Sequence, residues 1–384
     1  MIKQRTNFQT LDEFLQYSSL QDQLNLYLDF SVNRIGLQNI SNFTTALANC
    51  INLQFLDINL DFNCLGSENL VLLCSAIQKL KSLTSLSLHL KNNNISGQDS
   101  QKLSNTILAL TDIACLSLDL SYNNISDDFI CGLSDGLAGC KNLIQLKLGL
   151  ENCFLTQEGA QSLGQSLGFN KSLTTIELFL DGIFLDQQGA SNLVNGLSKC
   201  QTLQILNIVL KKCLIGVQGS NFLGDSLQNL RQVTSLSLNL GINHTGIEGA
   251  LKVVSGLSNC KNLISLTLIL DQNSIGDDKI DNLGLLLSKI KSLNFLEISI
   301  YSNQVGQKGI SAFAKGLSSG QSLQNIILDL GQNNFDEKAI QNVASLLSKS
   351  KNLKTLKISS NDRIQKVFVD KTQKENNQND CSLF

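Results

Sequence analysis

The stretch Leu263-Ile264-Ser265-Leu266-Thr267-Leu268-Ile269-Leu270-Asp271-Gln272-Asn273-Ser274-Ile275-Gly276 decides the fold. Leu266, Leu268 and Leu270 alternate with Thr267 and Ile269, a period of two that makes a strand with one buried face. The pattern recurs every thirty residues without insertion. Leu53, Leu83, Ile113, Leu143, Leu173, Leu203, Val233, Leu263, Leu293, Leu323 and Leu353 hold its first position, and a weaker copy precedes them with Leu26, Leu28 and Phe30 in phase. A fixed period of this length means that each copy is one structural turn stacked on its neighbours.

The rest of each repeat reads slot by slot. Three residues after the strand comes Asn33, Asn63, Asn93, Asn123, Asn243, Asn273, Asn303 or Asn333, replaced by Cys153, Ile183 and Cys213 in the middle of the chain. A side-chain amide there can bond the backbone groups of a buried turn, and stacked copies predict a ladder. The next marked slot holds Gly, Ser, Thr or Asp (Gly66, Ser126, Thr156, Asp186, Gly276, Asp336), all favoured at helix N-caps. Leu70, Leu73, Ile77 and Leu80 then fall on one helical face, as do Ile280, Leu283, Leu287 and Ile290. Small residues between them, such as Ala76, Gly136, Gly196 and Gly256, let neighbouring helices approach closely.

Strand, turn and helix followed by another strand force parallel strands side by side with the helices on the other face. Helices need ~10 Å of width and strands only ~4.8 Å, so the stack has to curve with its strands inside. The expectation is an α/β right-handed solenoid horseshoe of about twelve repeats, with a parallel sheet on the concave face and helices on the convex face. Residues 1–19 are read as an N-terminal helical cap through Leu11, Phe14 and Leu15, residues 20–362 as the solenoid, and residues 363–384 as cap residues and a flexible polar tail.

On these residues the chain resembles a leucine-rich-repeat protein of the ribonuclease-inhibitor class. The run Leu263-x-x-Leu266-x-Leu268-x-Leu270-x-x-Asn273-x-Ile275-Gly276 carries the likeness, which covers roughly residues 20 to 362. An extra Leu-x pair lengthens the strand relative to the family pattern; only Leu353-x-x-Leu356-x-Ile358-x-x-Asn361 has the short form. The same class supplies the sensor arms of intracellular NLR receptors and the body of the Ran GTPase-activating protein. The likeness therefore implies a protein-binding solenoid, with regulation of a small GTPase as the alternative, and in that case Arg34, in a strand-to-helix loop, is the residue placed to touch the GTPase.

Composition narrows the partner. The formal net charge is -2 with 30 basic and 32 acidic residues, so no basic field draws nucleic acid or anionic lipid. No apolar run reaches the length of a membrane span, and Met1 to Thr10 is too polar for a secretory signal. A cytoplasmic, reducing compartment is expected for the eleven cysteines. Most of these occupy core slots, and none shows Cys-x-x-Cys spacing, so no metal is expected. The two histidines, His89 and His244, lie in no nucleophile motif, and neither a phosphate loop nor a dinucleotide fingerprint occurs. Asp127-Asp128 and Asp277-Asp278 follow cap residues and suit the helix dipole. No catalytic residue and no cofactor is assigned. The end, Cys381-Ser382-Leu383-Phe384, fits a Cys-a-a-X prenylation pattern in part, and a membrane becomes a partner only if Cys381 is modified.

What remains is the outward face of the strands. Its slots are mostly small or charged, as a solvated face should be. In the middle, Phe179, Val209 and Ile269 are apolar, with Lys147, Glu177, Asn207 and Lys211 around them. An apolar centre in a charged rim is the anatomy of a protein interface. The sequence thus reads as a non-catalytic interaction module, a monomer or a subunit of a larger assembly, binding a protein partner on its concave face.

Overall fold

A computed structural model of the protein describes residues 6–8, 10–32, 35, 39–97, 100–360 and 363–367. The chain divides into two compact units, Met1–Ile215 and Gly216–Phe384. Both are solenoids in which strands and helices alternate.

The first unit contains β1 (Thr6–Phe8), β2 (Asn25–Asp29), β3 (Phe55–Asn59), β4 (Ser85–His89), β5 (Cys115–Asp119), β6 (Gln145–Gly149), β7 (Thr175–Phe179) and β8 (Ile205–Val209). They pair in chain order, all parallel. From β2 onward the register is thirty: Leu56 lies beside Leu86, Leu86 beside Leu116, Gly149 beside Phe179, and Phe179 beside Val209. The helices are α1 (Leu11–Gln16), α2 (Ile40–Leu47), α3 (Gly66–Ile77), α4 (Ser100–Ala109), α5 (Asp127–Gly139), α6 (Gln157–Gly168) and α7 (Asp186–Leu197). At the N-terminal end Phe14 packs among Phe8, Phe30 and Phe43, with ring centroids 5.5 to 6.4 Å apart.

The second unit begins with α8 (Gly216–Leu227) and continues through β9 (Ser235–Asn239), α9 (Gly246–Leu257), β10 (Ser265–Ile269), α10 (Ile280–Ser288), β11 (Phe295–Ser299), α11 (Gln307–Leu317), β12 (Asn325–Asp329), α12 (Glu337–Ser348) and β13 (Thr355–Ser360). Its strands β9 to β13 are parallel at the same register of thirty. A last strand, β14 (Arg363–Val367), runs antiparallel to β13. The repeat pattern gives no signal for it, because the period ends at Asn361.

The inward slots are buried. Leu56, Ile58, Leu60, Leu70, Leu73 and Ile77 are all buried, and most equivalent residues of the later repeats are too, Ser100 and Ser360 being partly exposed. Small residues do bring the helices together: a Cβ placed on Gly196 of α7 would lie 2.1 Å from the backbone of Gly164 in α6.

The asparagine ladder forms in two stretches. In the first unit Asn63 N–H donates to Asn93 Oδ1 at 3.1 Å, and Asn93 N–H to Asn123 Oδ1 at 2.8 Å. Asn93 Nδ2 donates to the carbonyl of Leu60, and Asn123 Nδ2 to that of Leu90. In the second unit Asn243, Asn273, Asn303 and Asn333 repeat the pattern at 2.9 to 3.0 Å. Cys153 and Cys213 replace part of the amide's role, each thiol donating to a carbonyl 33 positions back, Leu120 at 3.5 Å and Leu180 at 3.2 Å. The thiol sulfur is a weaker acceptor than the amide oxygen, and it takes over the backbone N–H groups of Asn123 and Ile125 at Cys153 and of Ile183 at Cys213.

The cap slot departs from expectation. Ser126, Thr156, Gly306 and Asp336 are N-caps of α5, α6, α11 and α12. Gly66 and Gly276, with Asp186, instead take left-handed backbone with φ of +65°, +65° and +55°. Glycine adopts that region without steric cost, so the slot holds it for a turn and not for a cap.

Candidate functional site: the strand face of the first unit

Alternation along β6, β7 and β8 puts Lys147, Glu177 and Asn207 in one row across the face, and Gly149, Phe179 and Val209 in the next. Two residues past each strand end the same alternation places Glu151, Asp181 and Lys211. Phe179 and Val209 are half-buried by their neighbours. The Lys147 ammonium sits 5.2 Å from the centre of the Phe179 ring, where the ring quadrupole favours a cation. Asn207 Oδ1 is enclosed and has no hydrogen-bond partner. Six of the residues singled out in the sequence therefore share one face of one unit. Ile269, the seventh, lies on β10 of the second unit and is likewise half-buried. Arg34, Cys381 and the polar segment 371–380 lie outside the described residues.

A second group flanks the first. Asp57, Asp61, His89 and Asp119 project from β3, β4 and β5 or just beyond them. His89 Nε2 pairs with Asp57 Oδ1 at 3.3 Å and lies 3.2 Å from Ser87 Oγ. Both contacts fall on the same ring nitrogen. A proton relay from serine to aspartate uses the two different nitrogens, so this grouping is not a hydrolase triad. The hydrogen bond to Asp57 raises the His89 pKa above its ordinary 6.5, against the opposing effect of burial.

Several carboxyls on this face hold protons more tightly than usual. Burial is the main cause at Asp61, Glu151 and Asp181. Repulsion adds to it, from Asp119 at Asp61 and from Asp181 and Asp119 at Glu151. Between β5 and β7 the face opens into a cavity of about 230 Å³ lined by His89, Asp119, Ser121, Lys147, Glu151 and Phe179, with Gly149 at its floor. A wider polar groove in the second unit, lined by Arg231, Lys261 and Asn262 among others, is accounted for by repeat geometry: Asn262 Nδ2 donates to the Arg231 carbonyl at 2.7 Å, as Asn142 does to Thr111.

One feature of the first unit escaped sequence reading. Phe154, Phe184 and Leu214 occupy the same slot of three consecutive repeats and are 59%, 58% and 56% exposed. Each directly follows Cys153, Ile183 or Cys213, the replaced asparagines. Elsewhere the slot holds Asn94, Asn124, His244, Ser274 or Gln304. The result is an apolar stripe on the strand-to-helix loops, and the signal that could have found it was the paired change at two adjacent slots.

The cysteines are not a metal centre among the described residues. Burial pushes the thiols of Cys50 and Cys213 up to about 12, and those of Cys140, Cys153 and Cys260 to about 11. Among the described residues no helix is long and apolar enough to cross a membrane.

No family model matches the chain, and no curated protein matches it by sequence. Among solved structures it is similar to the crystal structure of the Rad7 and Elc1 complex in yeast, at 18% identity over 91% of this chain and 78% of that one, with a TM-score of 0.48. It also has a likeness to Leiomodin-1 actin-binding site 2, at 16% identity over 41% of this chain and 90% of that one, with a TM-score of 0.31.

Proposed function

We propose that this chain is a non-catalytic interaction scaffold of the ribonuclease-inhibitor-like class, and that it binds a protein partner on the strand face of its first unit. Phe179 and Val209 are the anchors, and Lys147, Glu177, Asn207 and Lys211 form the rim. Ile269 enters as a separate contact on the second unit. The observation that carries the reading is the adjacency of Phe179 and Val209 on neighbouring strands, two large apolar side chains inside a charged surround. A solenoid suits the task because its strands hold such residues in fixed register.

The test is partner capture by immobilised protein. Changing Phe179 and Val209 together to serine leaves the fold intact by circular dichroism, since neither side chain belongs to the buried core. Capture of the partners held by the unchanged protein falls at least about tenfold, as loss of central apolar anchors does. Undiminished capture rejects this face.

The exposed stripe of Phe154, Phe184 and Leu214 supports a second reading, in which the partner sits on the loop edge of the same unit. The change of these three residues to serine then abolishes capture while the Phe179 and Val209 change does not.

A further inference from the structure

The outward row that runs through the middle of the first unit is Asn59, His89, Asp119, Gly149, Phe179 and Val209. Gly149 alone in that row has no side chain. Its backbone is not in the left-handed region, so the conformation does not require glycine. Space does: an added Cβ would come within 2.6 Å of Asp119 Oδ1 and 3.0 Å of Ser121 Oγ. The Asp119 carboxylate therefore lies across the glycine, and the 230 Å³ cavity opens beside it, lined by Asp119, Gly149 and Phe179 among others.

The cavity lining itself is mixed, with Asp119 and Glu151 beside His89, Lys91 and Lys147, and the acidic excess belongs to the wider face. The cations at the cavity edge are already engaged: Lys147 lies over the Phe179 ring, Lys91 lies 4.6 Å from the centre of the Tyr122 ring, and His89 is held by Asp57. Among the described residues no ion pair within 4 Å joins Asp119 or Glu151 to a base. From β3 to β8 the face carries Asp57, Asp61, Asp119, Glu151, Glu177 and Asp181 against Lys91, Lys147 and Lys211. The whole chain is nearly neutral at -2, so this excess is a property of the face.

We propose that the strand face of the first unit docks a basic segment of its protein partner, with one arginine or lysine side chain entering the cavity over Gly149 between Asp119 and Glu151. The inference rests on the strand-face reading above and adds the chemistry of the partner. Charge complementarity selects the occupant, because a phosphate-bearing surface is repelled by the same carboxylates. The position of Lys147 shows that the Phe179 ring accepts a cation on its face. A cation in the cavity also offsets the repulsion of Glu151 by Asp181 and Asp119, which adds to burial in raising the Glu151 pKa.

The test uses the full chain and two fluorescein-labelled octapeptides, one alternating arginine with glycine and one alternating glutamate with glycine, followed by fluorescence anisotropy. The arginine peptide binds and the glutamate peptide does not. Gly149→Val changes no charge but fills the cavity, and it weakens the arginine peptide at least tenfold; Gly149→Ala is the smaller variant if valine disturbs the circular dichroism spectrum. Asp119→Asn combined with Glu151→Gln weakens it to a similar extent. Equal binding of the two peptides, or unchanged arginine-peptide binding by the folded glycine variants, overturns the inference. If partner capture is lost in the Phe179 and Val209 double variant while the glycine and carboxylate variants bind and capture normally, the strand-face reading stands and the cationic occupant falls. If capture survives the double variant, the strand-face reading itself fails.

Discussion

Asp127 opens one helix and caps the next: its Oδ2 accepts the Thr156 hydroxyl at 2.6 Å and its Oδ1 accepts the Thr156 backbone N–H at 2.8 Å. Oδ1 also accepts Gly159 N–H at 3.1 Å, at the start of α6. One carboxylate therefore satisfies donors at a helix N-terminus thirty residues downstream, where its charge also suits the helix dipole. Asp277 does the same for Gly306, at 2.5 Å.

Asp127→Ala removes this link and is expected to destabilise the protein by about 1–3 kcal/mol, the cost of charged hydrogen bonds left unmade. Asp127→Asn retains an acceptor and costs less. Urea unfolding of the two variants checks the order, and equal stability of all three proteins shows that the inter-repeat cap contributes nothing.

Leu268 and Thr267 are neighbours on β10 that face opposite ways. Leu268 is fully buried, while Thr267 is half-exposed and donates to Glu297 Oε2 at 3.2 Å. Leu268→Ala should cost about 2–5 kcal/mol. Thr267→Ala should cost about 1 kcal/mol or less, the worth of one solvent-facing hydrogen bond. Denaturation midpoints that fall together for both would mean the two faces of the strand are assigned the wrong way round.

The acidic face makes a pH prediction of definite sign. The folded-state pKa of Glu151 is raised from 4.5 and that of Asp181 from 3.8, burial being the first cause in each. A raised carboxyl pKa gives stability that is complete below the unfolded value and lost as pH rises through the folded value. Protonated His89, with its pKa raised above 6.5, acts in the same direction at higher pH. Glu151→Gln should accordingly raise the melting temperature at pH 7 and lose its advantage as the pH falls below the ordinary carboxylate range. Solvent screening keeps the gain to about 0.5 kcal/mol. A melting temperature that drops at pH 7 would show that Glu151 is compensated after all.

Thiol chemistry separates the buried cysteines from the exposed ones. Cys64 and Cys131 are exposed and Cys115 is partly so, whereas Cys50, Cys140, Cys153, Cys213 and Cys260 are buried. Only thiolate reacts with iodoacetamide, and burial pushes these five thiols, among the seven buried ones, to about 11 or 12. At pH 8 peptide mass mapping should find Cys64 and Cys131 modified in the native protein and Cys50, Cys140, Cys153, Cys213 and Cys260 modified only after unfolding. Native labelling at Cys213 would contradict its place in the turn beneath Leu180.

Leucines thirty residues apart, an amide three residues past each strand and a helical spacing of three, four and three determined the repeat from the sequence alone. They do so because a period without slippage lets every copy solve the same local packing problem. The outward row of Phe179 and Val209 was legible for the same reason, since alternation along a strand assigns each side chain to one face. Relations between repeats were a matter for the tertiary structure. That Asp127 caps α6, that cysteine thiols take over amide contacts at Leu120 and Leu180, and that Asp119 lies across Gly149 all depend on residues about thirty positions apart lying against one another. The slot pattern lists such residues separately, and only stacking at a strand spacing of ~4.8 Å turns them into a cap, a ladder and a cavity. The antiparallel β14 and the left-handed backbone at Gly276 belong with them, because a chain end and a turn take their form from what they pack against.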